Sequence, residues 1–358
     1  MNGIAGSDAR TRLRLEVEAG SRRPYHRLVT EARAFSMLHE DVLQLLAHFA
    51  ATTDGAILEI GPYVGGSTVA LAAGNAARAR PFVTVEAGGA YKEHPHIPSD
   101  NIIRDLRRNL RRFGMEDVVS VVRGWCYNST VRRTVAGRSC GEKIGLLIID
   151  ADGLLEPTLH TYSDLLRDDC VIVIDDYESA GSAMKEALVR PFVRRQVEAG
   201  TFIEYGIFGW GTWFGRLAGP EAIATLRTST GPFPKGLGFS YLSFLDTAEP
   251  GDTLTNLTRS PTRFFEDEVE LGPGHALHKA IRNHGNGRFS HWATGDTPTD
   301  EGLCESMLVF SSSDNTDPNG NGRRYRLAVQ GQWIELNAQP SSALTFRRRS
   351  DLSSGPVL

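Results

Sequence analysis

The sequence lacks the features that mark several classes of protein. Its four cysteines, Cys126, Cys140, Cys170 and Cys304, include no Cys-x-x-Cys pair, which argues against a paired zinc or redox motif. It has no run of about 18 apolar residues and no apolar signal segment at the N-terminus. The net charge of only −4 gives no reason to expect a nucleic acid partner. We therefore expect a soluble, cytoplasmic protein with reduced thiols, and neither a membrane nor a nucleic acid as partner.

The chain is long enough for two domains. At 358 residues it exceeds one typical domain, and a hydrophobic content of 41% is ample for a core. We predict five regions: an N-terminal arm over residues 1–24, an α/β domain over 25–218, a linker over 219–238, a β-rich domain over 239–337 and a disordered tail over 338–358. The tail is predicted from its Ser, Pro and Arg content, which is typical of segments that bury little apolar surface.

Apolar runs alternate with helical spacing in the first half of the chain. The runs predict parallel strands over residues 56–60, 82–86, 118–122, 144–150 and 170–175. Helices are predicted over residues 25–51, from residues 67 and 99, and over 157–166 and 182–199. Apolar strands separated by helices form a parallel sheet that is covered on both faces. The last two strands, 202–208 and 212–217, flank Gly209-Trp210-Gly211 and are predicted to pair as an antiparallel hairpin.

The turn after the first strand is the most informative segment. It reads Glu59-Ile60-Gly61-Pro62-Tyr63-Val64-Gly65-Gly66-Ser67-Thr68. Its spacing, Glu-x-Gly-x-x-x-Gly, differs from the Gly-x-Gly-x-x-Gly of dinucleotide-binding folds, and no lysine is near to hold a phosphate. Glycines allow the backbone to pass close under a ligand, because a Cβ would collide with it. A glycine turn without phosphate chemistry favours a ligand that has an amino-acid tail and a nucleoside.

Three strand ends together resemble the class I S-adenosylmethionine (SAM)-dependent methyltransferases. They are the glycine turn, Asp150-Ala151-Asp152-Gly153 after the fourth strand and Asp175-Asp176-Tyr177 after the fifth, and the resemblance covers residues 38–217. It implies an α/β, Rossmann-like sheet that is closed by an antiparallel hairpin, with the helix of residues 25–51 across the pocket entrance. It also implies that SAM is the methyl donor.

The resemblance indicates which residues would bind SAM. Glu86, at the end of the second strand, would accept both ribose hydroxyls, and Glu59 would orient the loop and, indirectly, the amino group of SAM. Gly124 and Trp125 follow the third strand, where residues of family members flank the adenine of SAM. For Trp125 a structural role is the alternative. The other predicted contacts are Gly61, Pro62, Tyr63, Gly65, Ser67, Thr68 and Asp150.

Asp150, Asp175 and Asp176 are predicted to hold a divalent metal ion. Neighbouring strands lie about 4.8 Å apart, so carboxylates at their ends would repel one another without a cation or protons. The arrangement resembles the metal-dependent O-methyltransferases of catechols and macrolide sugars, in which Mg²⁺ would hold the acceptor hydroxyl and lower its pKa. Two alternatives stay open: Asp152 replaces Asp150 as the ligand, or Asp175 and Asp176 only cap the following helix.

One position departs from the resemblance. Relatives of the catechol type have a lysine as general base three residues after the fourth-strand aspartate, where this chain has Gly153. The candidate replacements are His160 on the following helix, Glu178 two residues beyond the aspartate pair, and Asp150 itself. A weak carboxylate base suffices where metal coordination already makes the hydroxyl acidic.

The region after residue 239 has short runs of β-branched and aromatic residues between Gly, Pro, Asn and Asp. This pattern predicts an all-β sandwich or barrel, and residues 276–282 are among the predicted strands. The histidines His275, His278, His284 and His291 lack the His-x-His spacing of a metal site, so we expect them to be dispersed. This domain would supply part of the acceptor site or a subunit interface, which leaves a homo-oligomer open.

The sequence therefore predicts a SAM-dependent methyltransferase that uses Mg²⁺ to methylate a hydroxyl of a small-molecule or sugar-containing acceptor. Three alternatives remain: a metal-independent N- or O-methyltransferase, an enzyme similar to the cephalosporin hydroxylases, and a non-catalytic scaffold that binds a glycan or a protein. Insensitivity to chelators would indicate the first, a requirement for an oxidant the second, and a lack of SAM binding the third.

Overall fold

The computed structural model of the chain describes residues 3–178, 183–228, 233–247, 249–293, 304–329 and 332–336. The chain divides into two units, one formed by residues 1–126 and 131–229 and the other by residues 127–130 and 230–358. The predicted domain limits stay predictions, and the predicted tail, 338–358, lies outside the described residues. Within the described ranges, no helix has both the length and the apolar content needed to cross a membrane.

Three α-helices precede the first strand: α1 (Gly3–Glu18), α2 (His26–Ala32) and α3 (Glu40–Thr52). The single helix predicted over residues 25–51 is therefore interrupted. The interruption has a local cause, because the His39 ring accepts a hydrogen bond from Asp41 N at 3.1 Å and so caps a new helix start. Helix α3 buries the face predicted from its spacing, which includes Val42, Leu46 and Phe49.

A seven-stranded sheet forms the centre of the first unit. Its strands are β1 (Ala56–Ile60), β2 (Phe82–Glu86), β3 (Ser120–Arg123), β4 (Ile144–Ile149), β5 (Leu166–Ile174), β6 (Phe202–Phe208) and β7 (Thr212–Leu217). Their order is β3-β2-β1-β4-β5-β7-β6, with β7 antiparallel to both β5 and β6. The predicted Rossmann-like sheet with a closing hairpin is confirmed.

Six further helices belong to the connections of this sheet and to the segment after it: α4 (Gly66–Asn75), α5 (Ile102–Arg112), α6 (Ser129–Arg138), α7 (Leu155–Tyr162), α8 (Ala183–Glu198) and α9 (Pro220–Thr228). Strands β1, β2 and β4 are buried along their whole length, as expected for a sheet covered on both faces. Helix α6 had no counterpart among the predicted elements. Helix α9 lies within the predicted linker, of which residues 229–232 are outside the described residues.

The strand register aligns the ends of β1, β4 and β5. Ile60 is paired with Ile149, and Ile149 with Ile174. The next residues along these strands, Gly61, Asp150 and Asp175, therefore leave the sheet side by side. This edge is where ligands bind in open α/β sheets.

The second unit consists mainly of antiparallel strands. They are β8 (Tyr241–Thr247), β9 (Arg263–Glu266), β10 (Val269–Glu270), β11 (Phe289–Ala293), β12 (Cys304–Phe310), β13 (Tyr325–Val329) and β14 (Gln332–Glu335). One sheet has the order β10-β9-β13-β14 and the other β11-β12-β8. Side chains of both sheets, including Phe264, Phe310 and Tyr325, share one core. The two sheets confirm the predicted β-rich class, and their common core is that of a sandwich.

One predicted strand of this unit is wrong. Residues 276–282 were expected in a strand, but helix α10 (His278–His284) begins there. Leu277 and Ile281 are four residues apart, and Ile281 N donates to Leu277 O at 3.2 Å. This is helical spacing, so the short apolar run was assigned the wrong period.

Candidate functional site

The glycine turn between β1 and α4 adopts left-handed backbone conformations. Gly61 has φ +85° and Gly65 has φ +95°, both in the region that favours glycine. A Cβ at Gly61 would lie 1.8 Å from the Asp150 carbonyl oxygen, and one at Gly65 would lie 2.7 Å from Leu106 Cδ1. The turn is closed by a hydrogen bond from Gly65 N to Pro62 O at 2.9 Å. The protein's own packing thus already requires these glycines, whereas we had expected a ligand to require them.

Glu59 lies under this turn and is almost completely buried. Its Oε2 accepts hydrogen bonds from Thr68 Oγ1 at 2.7 Å and Thr84 Oγ1 at 2.9 Å. Burial raises the pKa of Glu59, and nearby hydroxyls, including those of Ser67 and Thr68, limit the rise. Its Oε1 has no hydrogen-bond partner among the residues that the structure describes. Thr68, a predicted SAM contact, thus holds this carboxylate instead of facing outwards.

Glu86 connects the end of β2 to the glycine turn. Its Oε2 accepts from Tyr63 N at 3.1 Å and its Oε1 from Gly88 N at 2.9 Å. Burial raises the pKa of Glu86, and these two backbone donors oppose the rise. Each oxygen retains a lone pair for a further donor. Glu86 can therefore orient the turn and still bind a ligand hydroxyl.

The segment after β3 reaches the same edge. Gly124 N donates to Glu86 O at 3.0 Å, and Trp125 follows in a partly exposed position. The Tyr63 ring, on the glycine turn, lies 5.9 Å from the His94 ring, and its hydroxyl donates to Ile97 O. Both contacts come from the loop after β2. No sequence motif had indicated a role for this loop.

Asp150, Asp175 and Asp176 come together as predicted. Each offers a carboxylate oxygen within 4.8 Å of the other two, and in the described part of the chain no other group of three such ligands occurs. Burial, followed by repulsion from Asp175, raises the pKa of Asp150 well above its usual range. Burial also raises the pKa of Asp175, whose Oδ1 accepts from Thr212 Oγ1 at 2.5 Å. The three-aspartate group thus concentrates negative charge in a buried position.

Neither alternative to this ligand set is favoured by the geometry. Asp152 is outside the three-aspartate group, and its Oδ1 accepts from Leu154 N at 3.0 Å, just before α7. Helix α8 begins at Ala183, too far along the chain for Asp175 or Asp176 to be its cap residue. Asp176 instead has φ +56°, a strained conformation for a residue other than glycine.

Lys185 belongs to this site, although no sequence motif indicated it. It lies in the first turn of α8, and its Nζ is 2.7 Å from Asp176 Oδ2 and 3.8 Å from Asp150 Oδ1. Burial opposes the charged ammonium, but the attraction of Asp150 and Asp176 is stronger and raises the pKa of Lys185. Catechol-type relatives have a lysine at the position of Gly153. Its absence here was a signal that another part of the chain supplies a lysine to the site.

The structure places the other two predicted bases outside the three-aspartate group. His160, on α7, interacts with the backbone of Leu226 on α9, and burial lowers its pKa. The Glu178 side chain is 46% exposed and pairs with Arg190 Nη2 at 3.3 Å. Of the three predicted bases, only Asp150 belongs to the group.

An exposed tryptophan lies at the rim of the same edge. Trp210, at the tip of the β6–β7 hairpin, is 60% exposed. The Arg33 guanidinium lies 5.1 Å from its ring centroid, and the His39 ring lies 5.2 Å away. Glu178 N donates to Gly211 O at 3.0 Å, which fixes the hairpin next to the loop that carries Asp175 and Asp176.

Residues 58–177 match the family model described as a methyltransferase domain. The matched segment contains Glu59, Glu86 and the three aspartates. Over these residues the match confirms the resemblance to class I methyltransferases. The predicted enzyme class, a SAM-dependent methyltransferase, is thereby confirmed.

Three solved structures are similar to part of the chain. Cofactor-bound Rv0187 from MTB has 24% sequence identity over 55% of this chain and 91% of that chain, with a TM-score of 0.39. The O-methyltransferase from Bacillus cereus in complex with SAH has 20% identity, over 59% and 90%, and a TM-score of 0.35. CalS11, a TDP-rhamnose 3'-O-methyltransferase of calicheamicin biosynthesis, has 14% identity, over 59% and 93%, and a TM-score of 0.38. No curated protein matches the chain.

Proposed function

We propose that the first unit transfers a methyl group from SAM to a hydroxyl oxygen of a small-molecule or sugar-containing acceptor, with Mg²⁺ at the three-aspartate group. One observation carries the proposal. The glycine turn, Glu86 and the three-aspartate group converge on one sheet edge, inside the segment that matches the methyltransferase domain. The first two features suit a nucleoside donor, and the third suits an acceptor hydroxyl.

The residues around the glycine turn fit SAM. Glu86 has an oxygen lone pair on each side for the ribose hydroxyls. The unpartnered Oε1 of Glu59 provides a buried acceptor behind the turn, in agreement with an indirect role towards the amino group of SAM. Trp125 follows Gly124, whose N donates to Glu86 O, and would contact the adenine. When bound, SAM supplies a methyl group on a sulfonium, which is an excellent leaving group.

The three-aspartate group fits Mg²⁺. Hard divalent ions prefer carboxylate oxygens and keep waters or substrate oxygens as their other ligands. Burial and repulsion between the carboxylates raise the pKa values of Asp150 and Asp175, and a divalent ion would oppose both effects. Thr212 fixes the orientation of Asp175 by donating to its Oδ1. When bound, Mg²⁺ would lower the pKa of an acceptor hydroxyl.

Deprotonation and acceptor binding are assigned to neighbouring residues. Among the predicted bases, Asp150 is the best placed to take the hydroxyl proton, because it is the one within the three-aspartate group. Trp210 offers an exposed ring at the same rim, close to the Arg33 guanidinium and the His39 ring. We infer that a ring of the acceptor contacts Trp210 while its hydroxyl reaches the aspartates.

A methyl-transfer assay tests the proposal. The full chain is incubated with methyl-labelled SAM and a panel of catechols, sugar nucleotides and macrolide glycosides, with Mg²⁺ or with a chelator. We expect transfer to at least one hydroxyl class, with loss of activity in the chelator. Asp150→Asn should abolish transfer, whereas the matched control Asp152→Asn should retain it, because Asp152 lies outside the group. Transfer that persists in the chelator would instead support a metal-independent enzyme.

A further inference from the structure

Lys185 places a cation inside the three-aspartate group. Its Nζ lies 2.7 Å from Asp176 Oδ2 and 3.8 Å from Asp150 Oδ1, and its side chain is 30% exposed. The first distance is that of a charge-assisted hydrogen bond. In this position the ammonium occupies one of the oxygens that a divalent ion would need.

The local fold makes room for this lysine. A Cβ at Gly153 would lie 3.5 Å from Lys185 Cα and 3.6 Å from Lys185 Cβ. A long side chain at position 153 would therefore compete with Lys185 for the same space. Gly153 also has φ +83°, which disfavours any other residue. Gly153 thus leaves space beside the aspartates, and Lys185 from α8 lies next to this space.

An ammonium and a divalent ion cannot share this position favourably. A bound Mg²⁺ requires oxygen ligands at about 2.1 Å, so an ion on Asp176 Oδ2 would displace Lys185 Nζ from its present contact. The two cations would also repel each other across a partly buried site, where charges are screened less than in water. Occupation of Asp176 by one cation therefore weakens binding of the other.

We propose that Lys185 is the resident cation of the three-aspartate group and competes with the divalent ion for Asp176, an inference that rests on the proposed metal site. In the metal-free protein, Lys185 neutralises part of the carboxylate charge. When an ion binds, the Lys185 side chain leaves Asp176. Ion binding by the protein alone is consequently weaker than three converging carboxylates would otherwise give.

Metal titration of variants tests the competition. Mn²⁺ alone, and separately Mg²⁺ alone, is titrated into the full chain and into Lys185→Met by calorimetry, with free Mn²⁺ followed by electron paramagnetic resonance. We expect Lys185→Met to bind either ion at least ~10-fold more tightly, because one competing charge is gone. The matched control is Arg190→Met. It removes a cation from the same helix that pairs with Glu178 and Glu186 and not with the aspartates, so its affinity should stay within about twofold of the unmodified chain.

A labelling experiment on the unmodified chain covers the case in which Lys185→Met does not fold. An amine-reactive reagent is applied with and without Mg²⁺, and the modified lysines are quantified by peptide mass spectrometry. We expect Mg²⁺ to increase labelling of Lys185 several-fold, and to leave that of Lys92, on the loop after β2, unchanged.

Two results would overturn the inference. One is an ion affinity of Lys185→Met that equals or falls below that of the unmodified chain, including no ion binding by either protein. The other is Lys185 labelling that is unchanged or reduced by Mg²⁺. Both leave the methyltransferase assignment intact, because SAM binding at the glycine turn is measured independently of the ion.

Discussion

Two pairs of buried carboxylates, one pair in each unit, differ in how fully their partners compensate them. In the second unit, the Glu266 carboxylate accepts from Tyr325 Oη at 2.7 Å and pairs with Arg323 Nη1 at 3.1 Å. Asp252 of the same unit accepts from Ser260 N at 2.8 Å and contacts His275 Nδ1 at 2.9 Å. In the first unit, by contrast, the closest cation to Asp150 is 3.8 Å away and the Glu59 Oε1 has no partner among the described residues.

This difference separates structural polar groups from functional ones. Buried polar groups that serve the fold are normally satisfied by hydrogen bonds. Groups with poorly compensated charge and shifted pKa values concentrate at functional sites. By this criterion His291 of the second unit is structural: its ring lies 2.7 Å from Ser260 Oγ on one side and 2.7 Å from Ser306 Oγ on the other. The strand ends of the first unit are the candidate for chemistry.

The largest expected effect is on Asp150. Asp150→Asn should lower kcat/KM for methyl transfer by about 100-fold or more, since it removes both a metal ligand and the candidate base. It should leave the free energy of unfolding unchanged or higher, because it removes a buried charge that is poorly compensated. Steady-state kinetics and urea unfolding measure the two quantities. Full activity of this variant would contradict the assignment of the poorly compensated carboxylates of the first unit to catalysis.

The next effect concerns Glu86 and the donor. Glu86→Gln should weaken binding of S-adenosylhomocysteine by about 10- to 100-fold, because hydrogen bonds to a charged group contribute about 1.5–3 kcal/mol. Calorimetry provides the measurement. Glu93→Gln is the matched control, since Glu93 is an exposed acid on the loop that follows β2. An equal loss in both variants would point to net charge instead of a ribose contact.

Glu266 should show the opposite behaviour to Asp150. Glu266→Gln removes the carboxylate charge that Ser313 and Arg323 contact, while Arg323 keeps its pair with Asp314, so we expect a loss of about 1–2 kcal/mol in the free energy of unfolding. Binding of S-adenosylhomocysteine should not change. Urea unfolding and calorimetry on the same preparation check both statements. A variant of undiminished stability would show that satisfied polar groups in the second unit are not structural.

Trp210 should affect the acceptor alone. Trp210→Ala is expected to raise the KM for the acceptor by about 5-fold, in keeping with the loss of one aromatic contact of about 1 kcal/mol. The affinity for S-adenosylhomocysteine should remain the same, because Trp210 lies on the hairpin and not at the glycine turn. Kinetics at saturating SAM measure the first quantity. An unchanged KM would place the acceptor elsewhere.

The smallest effect is a pH dependence of opposite sign in the two units. His291 has a pKa lowered by burial to about 4 from 6.5, so its contribution to stability grows as the pH rises between these values. Asp150 and Asp175 have raised pKa values in the folded state, so their contribution is lost as the pH rises through those values. As the pH rises above about 4, this loss should lower the urea midpoint less in Asp150→Asn than in the unmodified chain. A fall of the same size in that variant would contradict this assignment.

The sheet and much of the site could be predicted because they depend on local signals. Mostly apolar runs of strand length specified β1, β2, β4 and β5, and the acids after β4 and β5 are adjacent as soon as these strands are parallel and in register. The hairpin from residue 202 to residue 217 followed from two glycines between two strands. These features need no knowledge of side-chain packing.

The missed features depend on long-range packing. Lys185 reaches the aspartates only because α8 packs beside Gly153, and no spacing rule connects these positions. The short apolar run at residues 276–282 fits both the period of a strand and that of a helix. The structure has a helix there, with Ile281 buried on its inner face. The requirement for Gly61 likewise comes from the Asp150 carbonyl, which is distant in sequence.

Calorimetric titration of the full chain with S-adenosylhomocysteine tests the central claim most directly, namely that the strand ends of the first unit bind the methyl donor. We predict one site per chain with a dissociation constant in the micromolar range, and a loss of that binding in Glu86→Gln. A folded protein that takes up no ligand at millimolar concentration would contradict the account.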